Sequence, residues 1–242
     1  MTLSNPPSLN TSVEKFERPK VDSPVLEDYV IVKAQVSDFE DIHDFMLGDF
    51  LNTEPLNAAL ELQRDEASQF FADIIHCCFK DQVSYIVRSK ADGRVVALRM
   101  ANILDRFSPE ANQAFGADYP SSEKVQKIKE LLHEFESQTW KLVPKEVNRL
   151  LNWIVLSVDE SFKRRGIARK LIEHDMDQAR AMGIQGVVAE ASAYNSQQLF
   201  KKLGYTRLME IMHCDWLDKE TGQQIIECKD NTDRVTMEYK PL

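Results

Sequence analysis

The chain has 242 residues, of which 43% are hydrophobic and 29% charged, a composition typical of a globular protein large enough to bury a sizeable core. No run approaches the ~18 apolar residues of a membrane-spanning helix, and the N-terminus lacks the apolar core of a secretion signal. The net charge of −9 disfavours nucleic acid as a partner and is compatible with a small cationic substrate.

The cysteines give no sign of a metal site. None belongs to a Cys-x-x-Cys pair or to a Cys/His spacing that would surround zinc; they are Cys77, Cys78, Cys214 and Cys228. In the absence of an export signal we expect reduced thiols, a cytoplasmic location and no bound metal.

The first half of the chain leads from an irregular tail into strands and helices. Residues 1–27 are rich in proline and small polar residues, which favours a flexible N-terminal tail, and residues 28–242 are predicted to form one domain. Alternating apolar residues predict strands at Tyr29–Gln35, Val83–Ser89 and Val95–Ile103. Helical spacing predicts a helix capped by Ser37 and Glu40, a second from Pro55 to Ile75, and a third over Ser121–Leu142.

The second half alternates strands with helices. Leu150–Val158 is almost continuously apolar, as expected of a buried strand in a parallel pair. Two helices that end at glycines are predicted at Ile167–Met182 and Tyr194–Leu203, and further strands at Gly186–Glu190, Thr206–Trp216 and Arg234–Tyr239. The predicted fold class is therefore α/β (α+β), a single domain with a mixed central sheet flanked by helices.

A basic loop containing one glycine joins the apolar strand to the next helix. The N-terminus of a helix carries unpaired N–H groups and the positive end of the helix dipole, so it suits a phosphate. Gly166 would let the backbone approach an anion closely, and the basic residues around it are Lys163, Arg164, Arg165 and Arg169. The alternative is a basic turn that only begins an ordinary helix.

This loop resembles the pyrophosphate-binding signature of the GNAT superfamily of N-acetyltransferases, written [Gln/Arg]-x-x-Gly-x-[Gly/Ala]. Gly166 and Ala168 match its small positions, while Lys163 stands at its first position. The segment Leu199–Tyr205 resembles a later helix-and-strand segment of the same superfamily. The order of elements extends the resemblance over Tyr29–Tyr239, so the resemblance implies the acetyltransferase fold.

The resemblance also implies acetyl-CoA as co-substrate. Its pyrophosphate would lie on the backbone amides of the loop and the helix start, which comprise Arg164, Arg165, Gly166, Ile167, Ala168 and Arg169. Its pantetheine arm would pair with the strand at Leu156, Ser157 and Val158. A backbone N–H there would polarise the thioester carbonyl.

A narrower resemblance is to the insect-type arylalkylamine N-acetyltransferases, which act on dopamine, serotonin, octopamine and tryptamine. It rests on Asp49–Asn57, on Leu156–Asp159 and on two serines, and it implies Glu54 as catalytic base with Ser192 and Ser196 as its partners. An amine with a pKa near ~10 must lose a proton before it attacks, and a carboxylate can take that proton. The serines could relay it or protonate the departing thiolate.

Each of these residues has a plainer alternative. Glu54 could simply be an acid at a helix N-terminus, and Ser192 the N-cap of the late helix. His213 could be proposed as a base, although a histidine in a predicted strand is more often structural. Phe200 stands where many superfamily members have a general-acid tyrosine, which excludes that mechanism at this position.

The acceptor is predicted to be a small amine with an aromatic body. The early segment is rich in large apolar side chains, namely Phe45, Met46, Phe50, Leu51, Phe70, Phe71 and Phe79. A polyamine would instead require several acids, for which Asp44, Asp49 and Glu61 are the candidates. A protein N-terminus as acceptor, and a non-catalytic acyl-CoA-binding module, are further alternatives, and the oligomeric state is left open.

Overall fold

The structure is a computed structural model that describes residues 28–108 and 121–242. The predicted tail, residues 1–27, lies outside the described residues. The described residues form one mixed sheet in the order β1-β2-β3-β4-β5-β7-β6. Its strands are β1 Tyr29–Lys33, β2 Tyr85–Ser89, β3 Val95–Asp105, β4 Arg149–Val158, β5 Gly186–Ala191, β6 Thr206–Met212 and β7 Arg234–Pro241. The predicted mixed sheet and α/β class are thus confirmed.

Helices cover both faces of this sheet. They are α1 Phe39–Phe45, α2 Leu51–Thr53, α3 Pro55–Ala59, α4 Arg64–Phe79, α5 Glu123–Leu142, α6 Ile167–Glu173, α7 Met176–Ala181 and α8 Tyr194–Lys202. Apolar residues of α1, α4 and α5 pack on one face of β3 and β4, and those of α6, α7 and α8 on the other. Within the described ranges, no helix is both long and apolar enough to cross a membrane.

Two predicted helices are interrupted, so the prediction of continuous helices is wrong there. The helix predicted from Pro55 breaks between α3 and α4, where Glu61 has φ of 52°. The helix predicted over Ile167–Met182 breaks at His174 and Asp175, and Asp175 has φ of 60°. Each break turns the chain so that two short helices follow the sheet surface.

Two predicted boundaries also differ. The first helical segment is capped through Asp38, whose carboxylate accepts a hydrogen bond from the N–H of Gln35, and not by Ser37 with Glu40. Strand β6 ends at Met212, so His213 lies in a short 3-10 turn and not in the strand.

The sheet opens where β4 and β5 separate. These strands are the parallel pair, and their pairing runs from Leu150–Gly186 to Trp153–Ala189 only. Beyond Trp153, β4 continues alone beside β3, and the register with β3 skips Ile154. The edge of β4 that β5 no longer covers therefore faces a gap at the C-terminal ends of the two parallel strands.

A buried arginine fixes α6 against the sheet. Arg99 of β3 is 1% exposed, and its guanidinium donates hydrogen bonds to the carbonyl oxygens of Val83, Leu171 and His174. It also stacks on the Trp153 ring at 4.3 Å. Because Leu171 and His174 are at the C-terminal end of α6, Arg99 supplies hydrogen bonds to carbonyl groups that lack an ordinary helical partner there.

We expect Arg99→Met to lower the free energy of unfolding by about 2–4 kcal/mol, because three buried or part-buried carbonyl groups each lose a hydrogen bond from a charged donor. Urea denaturation followed by circular dichroism measures the change. The control is Arg180→Met, since Arg180 forms an exposed ion pair with Asp177 and its removal should cost at most about 0.5 kcal/mol. Equal effects of the two substitutions would contradict the role assigned to Arg99.

Candidate active site

The gap between β4 and β5 opens into a cleft of about 760 Å³. The walls of this outer cavity come from the free edge of β4, the loop after it, the end of β5 and the first turn of α8. The three β4 residues predicted to contact a co-substrate, Leu156, Ser157 and Val158, all line it. A cleft at the C-terminal ends of separating parallel strands is a recurrent place for a ligand, because backbone groups are left unpaired there.

The basic loop forms the floor at one end of the outer cavity. Gly166 has φ of 75°, a left-handed conformation that favours glycine, and it directly precedes α6. A side chain built on Gly166 would meet no atom within 4 Å, so the space above the loop is open. The loop residues that line the cavity are Lys163, Arg164, Gly166, Ile167, Ala168 and Arg169.

Arg165 is the predicted loop residue that the structure places elsewhere. Its guanidinium binds the carboxylate of Asp28 at 2.6 Å and the carbonyl oxygen of Ser161 at 3.0 Å, and it does not line the cleft. Arg164 has no ion pair among the described residues, whereas Arg169 pairs with Glu173 of its own helix at 3.1 Å. Of these arginines, Arg164 is thus the most available for an anion.

Glu54 lies at the point where the outer cavity meets a smaller one. Its Oε2 accepts a hydrogen bond from the N–H of Asn57 at 2.7 Å, so Glu54 does stand at a helix N-terminus, the position that its plainer alternative named. Its Oε1 is buried and has no hydrogen-bond partner. One carboxylate oxygen therefore caps the N-terminus of α3, and the other is free to bind a ligand.

The surroundings of Glu54 act on its acidity in opposite directions. Burial raises the pKa of Glu54 above its ordinary value. The Ser192 hydroxyl and the backbone N–H groups of Asn57 and Leu56 offset part of that rise, although Ser192 does not form a well-aligned hydrogen bond with Oε1. Burial has the larger effect, so the carboxylate is a stronger base than an exposed glutamate.

The two predicted serines occupy different positions. Ser192 lines both cavities, and it is not the N-cap of α8, because Ala193 is in that position; the capping alternative for Ser192 is wrong. The N–H of Tyr194 is instead satisfied by the Thr232 hydroxyl at 3.1 Å. Ser196 lies in the first turn of α8 and lines the outer cavity only.

The smaller, inner cavity has a volume of about 60 Å³ and lies between the sheet, α3, α4 and α5. Most of its wall is aromatic or aliphatic and includes Phe50, Leu56, Phe70, Phe71, Ile74, Ile128 and Leu132. It shares with the outer cavity Phe50, Glu54, Trp153, Ile154, Val155, Glu190 and Ser192. A ligand could therefore pass from one cavity to the other beside Glu54.

Some predicted lining residues lie elsewhere. Phe50, Phe70 and Phe71 do line the inner cavity, but the other large apolar side chains named from the sequence belong to the core and lie outside its wall; they are Phe45, Met46, Leu51 and Phe79. The acids Asp44, Asp49 and Glu61 line neither cavity.

His213 is also outside both cavities. It is buried, and its Nδ1 lies 3.7 Å from the Sγ of Cys228. Burial lowers the pKa of His213 and raises the pKa of Cys228 to about 12, so the pair consists of a neutral imidazole and a neutral thiol. The structural interpretation of His213 fits this position. The described residues contain no cluster of three or more His, Cys, Asp or Glu side chains suited to a metal ion.

Sequence reasoning missed two acids of the inner cavity, Glu136 of α5 and Glu190 of β5. Burial raises the pKa of Glu136 to about 7, and burial together with the nearby Glu136 raises the pKa of Glu190. The available signal was Glu190 itself, a charged residue at the end of an otherwise apolar strand. Glu136 gave no such signal, because α5 carries many charged residues.

A family model described as "Acetyltransferase (GNAT) family" matches residues 46–205. A solved structure of arylalkylamine N-acetyltransferase 2 from Aedes aegypti is 26% identical, with a TM-score of 0.74 over 88% of this chain and 99% of that one. An agmatine N-acetyltransferase, with 24% identity and a TM-score of 0.75, matches over 89% of this chain and 100% of its own. A Drosophila melanogaster polyamine N-acetyltransferase, with 24% identity and a TM-score of 0.72, matches over the same shares. The agmatine and polyamine N-acetyltransferase structures show that this chain shares their fold.

The arrangement at Glu54 yields a direct test. We expect Ser192→Ala to raise the pKa of Glu54 further, because the substitution removes a hydroxyl that favours the ionised carboxylate. NMR titration of isotope-labelled glutamate carboxyl groups measures the value. Ser196→Ala is the control, since Ser196 does not contribute to the acidity of Glu54. If both variants titrate like the unmodified protein, Ser192 does not act on Glu54.

Proposed function

The chain belongs to the acetyltransferase (GNAT) family and is an N-acetyltransferase, and we propose that it transfers the acetyl group of acetyl-CoA directly to a small primary amine with Glu54 as general base. The observation that carries this proposal is the position of Glu54, whose buried and unpartnered Oε1 lies where the outer cavity meets the inner one. One cavity would hold the acyl donor and the other the amine.

The outer cavity fits the donor. Acetyl-CoA, when bound, supplies an activated acetyl group as a thioester. The open space above Gly166, the unpaired guanidinium of Arg164 and the start of α6 together suit a pyrophosphate. The uncovered edge of β4 at Leu156, Ser157 and Val158 offers backbone groups to an extended amide-containing arm.

The inner cavity supports the acceptor role and the proton transfer. An ammonium group placed at Glu54 would give a proton to Oε1, because the raised pKa of Glu54 makes this carboxylate a better proton acceptor than an exposed one. In this proposal the neutral amine attacks the thioester carbon, the C–S bond breaks, and Ser196, in the outer cavity, relays the second proton of the amine to the departing thiolate, while Ser192 orients the carboxylate. The predicted cytoplasmic location stays a prediction.

Two acceptor classes are candidates. The phenyl rings of Phe50, Phe70 and Phe71 favour an arylalkylamine such as dopamine, serotonin, octopamine or tryptamine, and the mosquito structure named for that activity is consistent with it. The acids Glu136 and Glu190 in the same cavity favour an acceptor with more than one positive charge, such as a polyamine. Both classes are small primary amines, so the choice between them does not alter the role of Glu54.

The donor site is tested at Gly166. We expect Gly166→Leu to weaken CoA binding by about tenfold or more, because the new side chain occupies the space proposed for the pyrophosphate. Gly204→Leu is the matched control: Gly204 has φ of 79°, close to the 75° of Gly166, and equally open surroundings, but lies outside both cavities. Isothermal calorimetry with CoA measures both variants. Equal CoA affinities of the two variants would show that the loop does not belong to the donor site.

The base is tested at Glu54. We expect Glu54→Gln to reduce kcat roughly 10²–10⁴-fold, while CoA affinity and thermal stability change little, because glutamine keeps an oxygen that can accept from the Asn57 N–H. In the unmodified enzyme, kcat/KM should fall as pH drops through the pKa of Glu54, which lies above the ordinary value of 4.5. The variant should lack this acidic limb.

The control for the base is Glu61→Gln, because Glu61 is an exposed glutamate outside both cavities. Full activity of Glu54→Gln would reject the base assignment. If the unmodified protein binds CoA but acetylates none of a panel of amines, the chain is a non-catalytic acyl-CoA-binding module.

A further inference from the structure

The start of α8 lies between the two serines of the proposed proton transfer, yet this helix has no cap of its own. Ala193 occupies the N-cap position and has no side-chain oxygen that could accept a hydrogen bond from the first turn. Tyr194, midway between Ser192 and Ser196, is the first helical residue, and an N–H at this position finds no partner within a helix. The serines therefore depend on an acceptor from another part of the chain to hold the helix start in place.

That acceptor comes from the segment that precedes β7. The hydroxyl oxygen of Thr232 accepts a hydrogen bond from the N–H of Tyr194 at 3.1 Å. Strands β5 and β7 are antiparallel, with Ala191 opposite Thr236, so the residues just before β7 run beside the residues just after β5. Thr232 is 5% exposed, so water does not readily take the place of its hydroxyl.

Thr232 is itself held by its neighbours. Its N–H donates a hydrogen bond to the Oδ1 of Asp230 at 2.9 Å. The carbonyl oxygen of Asp233 accepts a hydrogen bond from the N–H of His213 at 2.8 Å, which closes the long connection between β6 and β7. Asp230 lines the outer cavity. The end of this connection thus joins the wall of the outer cavity to the start of α8.

A second contact fixes the body of α8 independently. Gln197 is 4% exposed, and its Nε2 donates hydrogen bonds to the carbonyl oxygens of Ala191 at 3.0 Å and of Arg234 at 2.9 Å. Ala191 directly precedes Ser192, and Arg234 begins β7. Because Gln197 ties α8 to both strands, loss of the Thr232 hydroxyl should loosen the first turn without detaching the helix.

We propose that Thr232 is a positioning residue of the acetyl transfer, because its hydroxyl fixes the first turn of α8 and with it the places of Ser192 and Ser196 relative to Glu54. This inference rests on the proposed function, in which these serines assist Glu54. Proton transfer requires heavy atoms within hydrogen-bond distance of each other, so a small displacement of either serine is costly. Thr232 acts through the serines, since it lines neither cavity itself.

The first test uses the acidity of Glu54 and needs no catalysis. Thr232→Val keeps the shape of the side chain and removes the acceptor oxygen. It should raise the pKa of Glu54, as Ser192→Ala does, because a displaced Ser192 hydroxyl no longer favours the ionised carboxylate. A shift of Asp230 away from Glu54 would lower that pKa, so the direction of the change identifies Ser192 as the group that moved. NMR titration of isotope-labelled glutamate carboxyl groups measures it.

Matched variants separate positioning from stability. Thr232→Ser restores the hydroxyl and should restore the titration of Glu54, while Thr232→Ala is a second variant without it. Thr139→Val is the control: Thr139 is also buried, at 3% exposure, but its hydroxyl bonds to the Phe135 carbonyl oxygen within α5, and it lines neither cavity. This control should leave the pKa of Glu54 unchanged even where it lowers the melting temperature.

The second test is kinetic. Thr232→Val should lower kcat about tenfold with little change in the KM for acetyl-CoA. In a variant that already carries Ser192→Ala and Ser196→Ala, the same substitution should have no further effect on kcat, because no serine hydroxyl is left to position.

Two results would overturn the inference. One is an unchanged pKa of Glu54 in both Thr232→Val and Thr232→Ala. The other is a loss of kcat on Thr232→Val that is equally large with and without the two serines, which would indicate a general structural role. If the serine substitutions leave kcat intact while Thr232→Val still raises the pKa of Glu54, the positioning of Ser192 stands and the proposed role of the serines in catalysis fails.

Discussion

The geometry of the site depends on one break in the sheet: β4 and β5 stop pairing after Trp153 and Ala189, although both strands continue. If β4 and β5 paired along their whole length, the backbone N–H and C=O groups of β4 would bond to β5, and no space would remain between the strands. The omission of Ile154 from the pairing with β3 shows that β4 changes register at the same level. Because of this separation, the uncovered edge of β4 faces one cavity, and Glu190 and Ser192 reach both.

The open part of the sheet is supported by interactions on its far side. Arg99 lies under α6, donates hydrogen bonds to the carbonyl oxygens at the end of this helix, and stacks on Trp153, the last β4 residue that pairs with β5. The same helix begins at the loop proposed to hold the pyrophosphate. The buried guanidinium of Arg99 therefore contacts both Trp153, where the parallel pairing ends, and α6, the helix that follows the loop. The burial of Arg99 is tolerated because backbone carbonyls and aromatic faces replace its hydration.

Local signals explain what the sequence could predict. Gly166 has to adopt a left-handed conformation, and Glu54 directly precedes a proline that starts a helix, so each position was recognisable from a few neighbouring residues. The inner acids were not recognisable in this way. Glu136 and Glu190 are far apart in sequence and line one cavity only because the fold brings α5 and the end of β5 to it, a tertiary arrangement that no local pattern specifies. The acids considered instead, Asp44, Asp49 and Glu61, are close to Glu54 in sequence but line neither cavity.

The three glutamates that line the inner cavity, Glu54, Glu136 and Glu190, have the same side chain but different surroundings. Glu54 keeps one oxygen on a backbone N–H, which favours the carboxylate, while burial raises its pKa and makes the carboxylate a better proton acceptor. Glu136 and Glu190 have no such backbone donor among the described residues, and each raises the cost of ionising the other. Of these three glutamates, Glu54 alone combines a backbone hydrogen bond with a position between the two cavities, and for this reason Glu54, and not Glu136 or Glu190, is the proposed base.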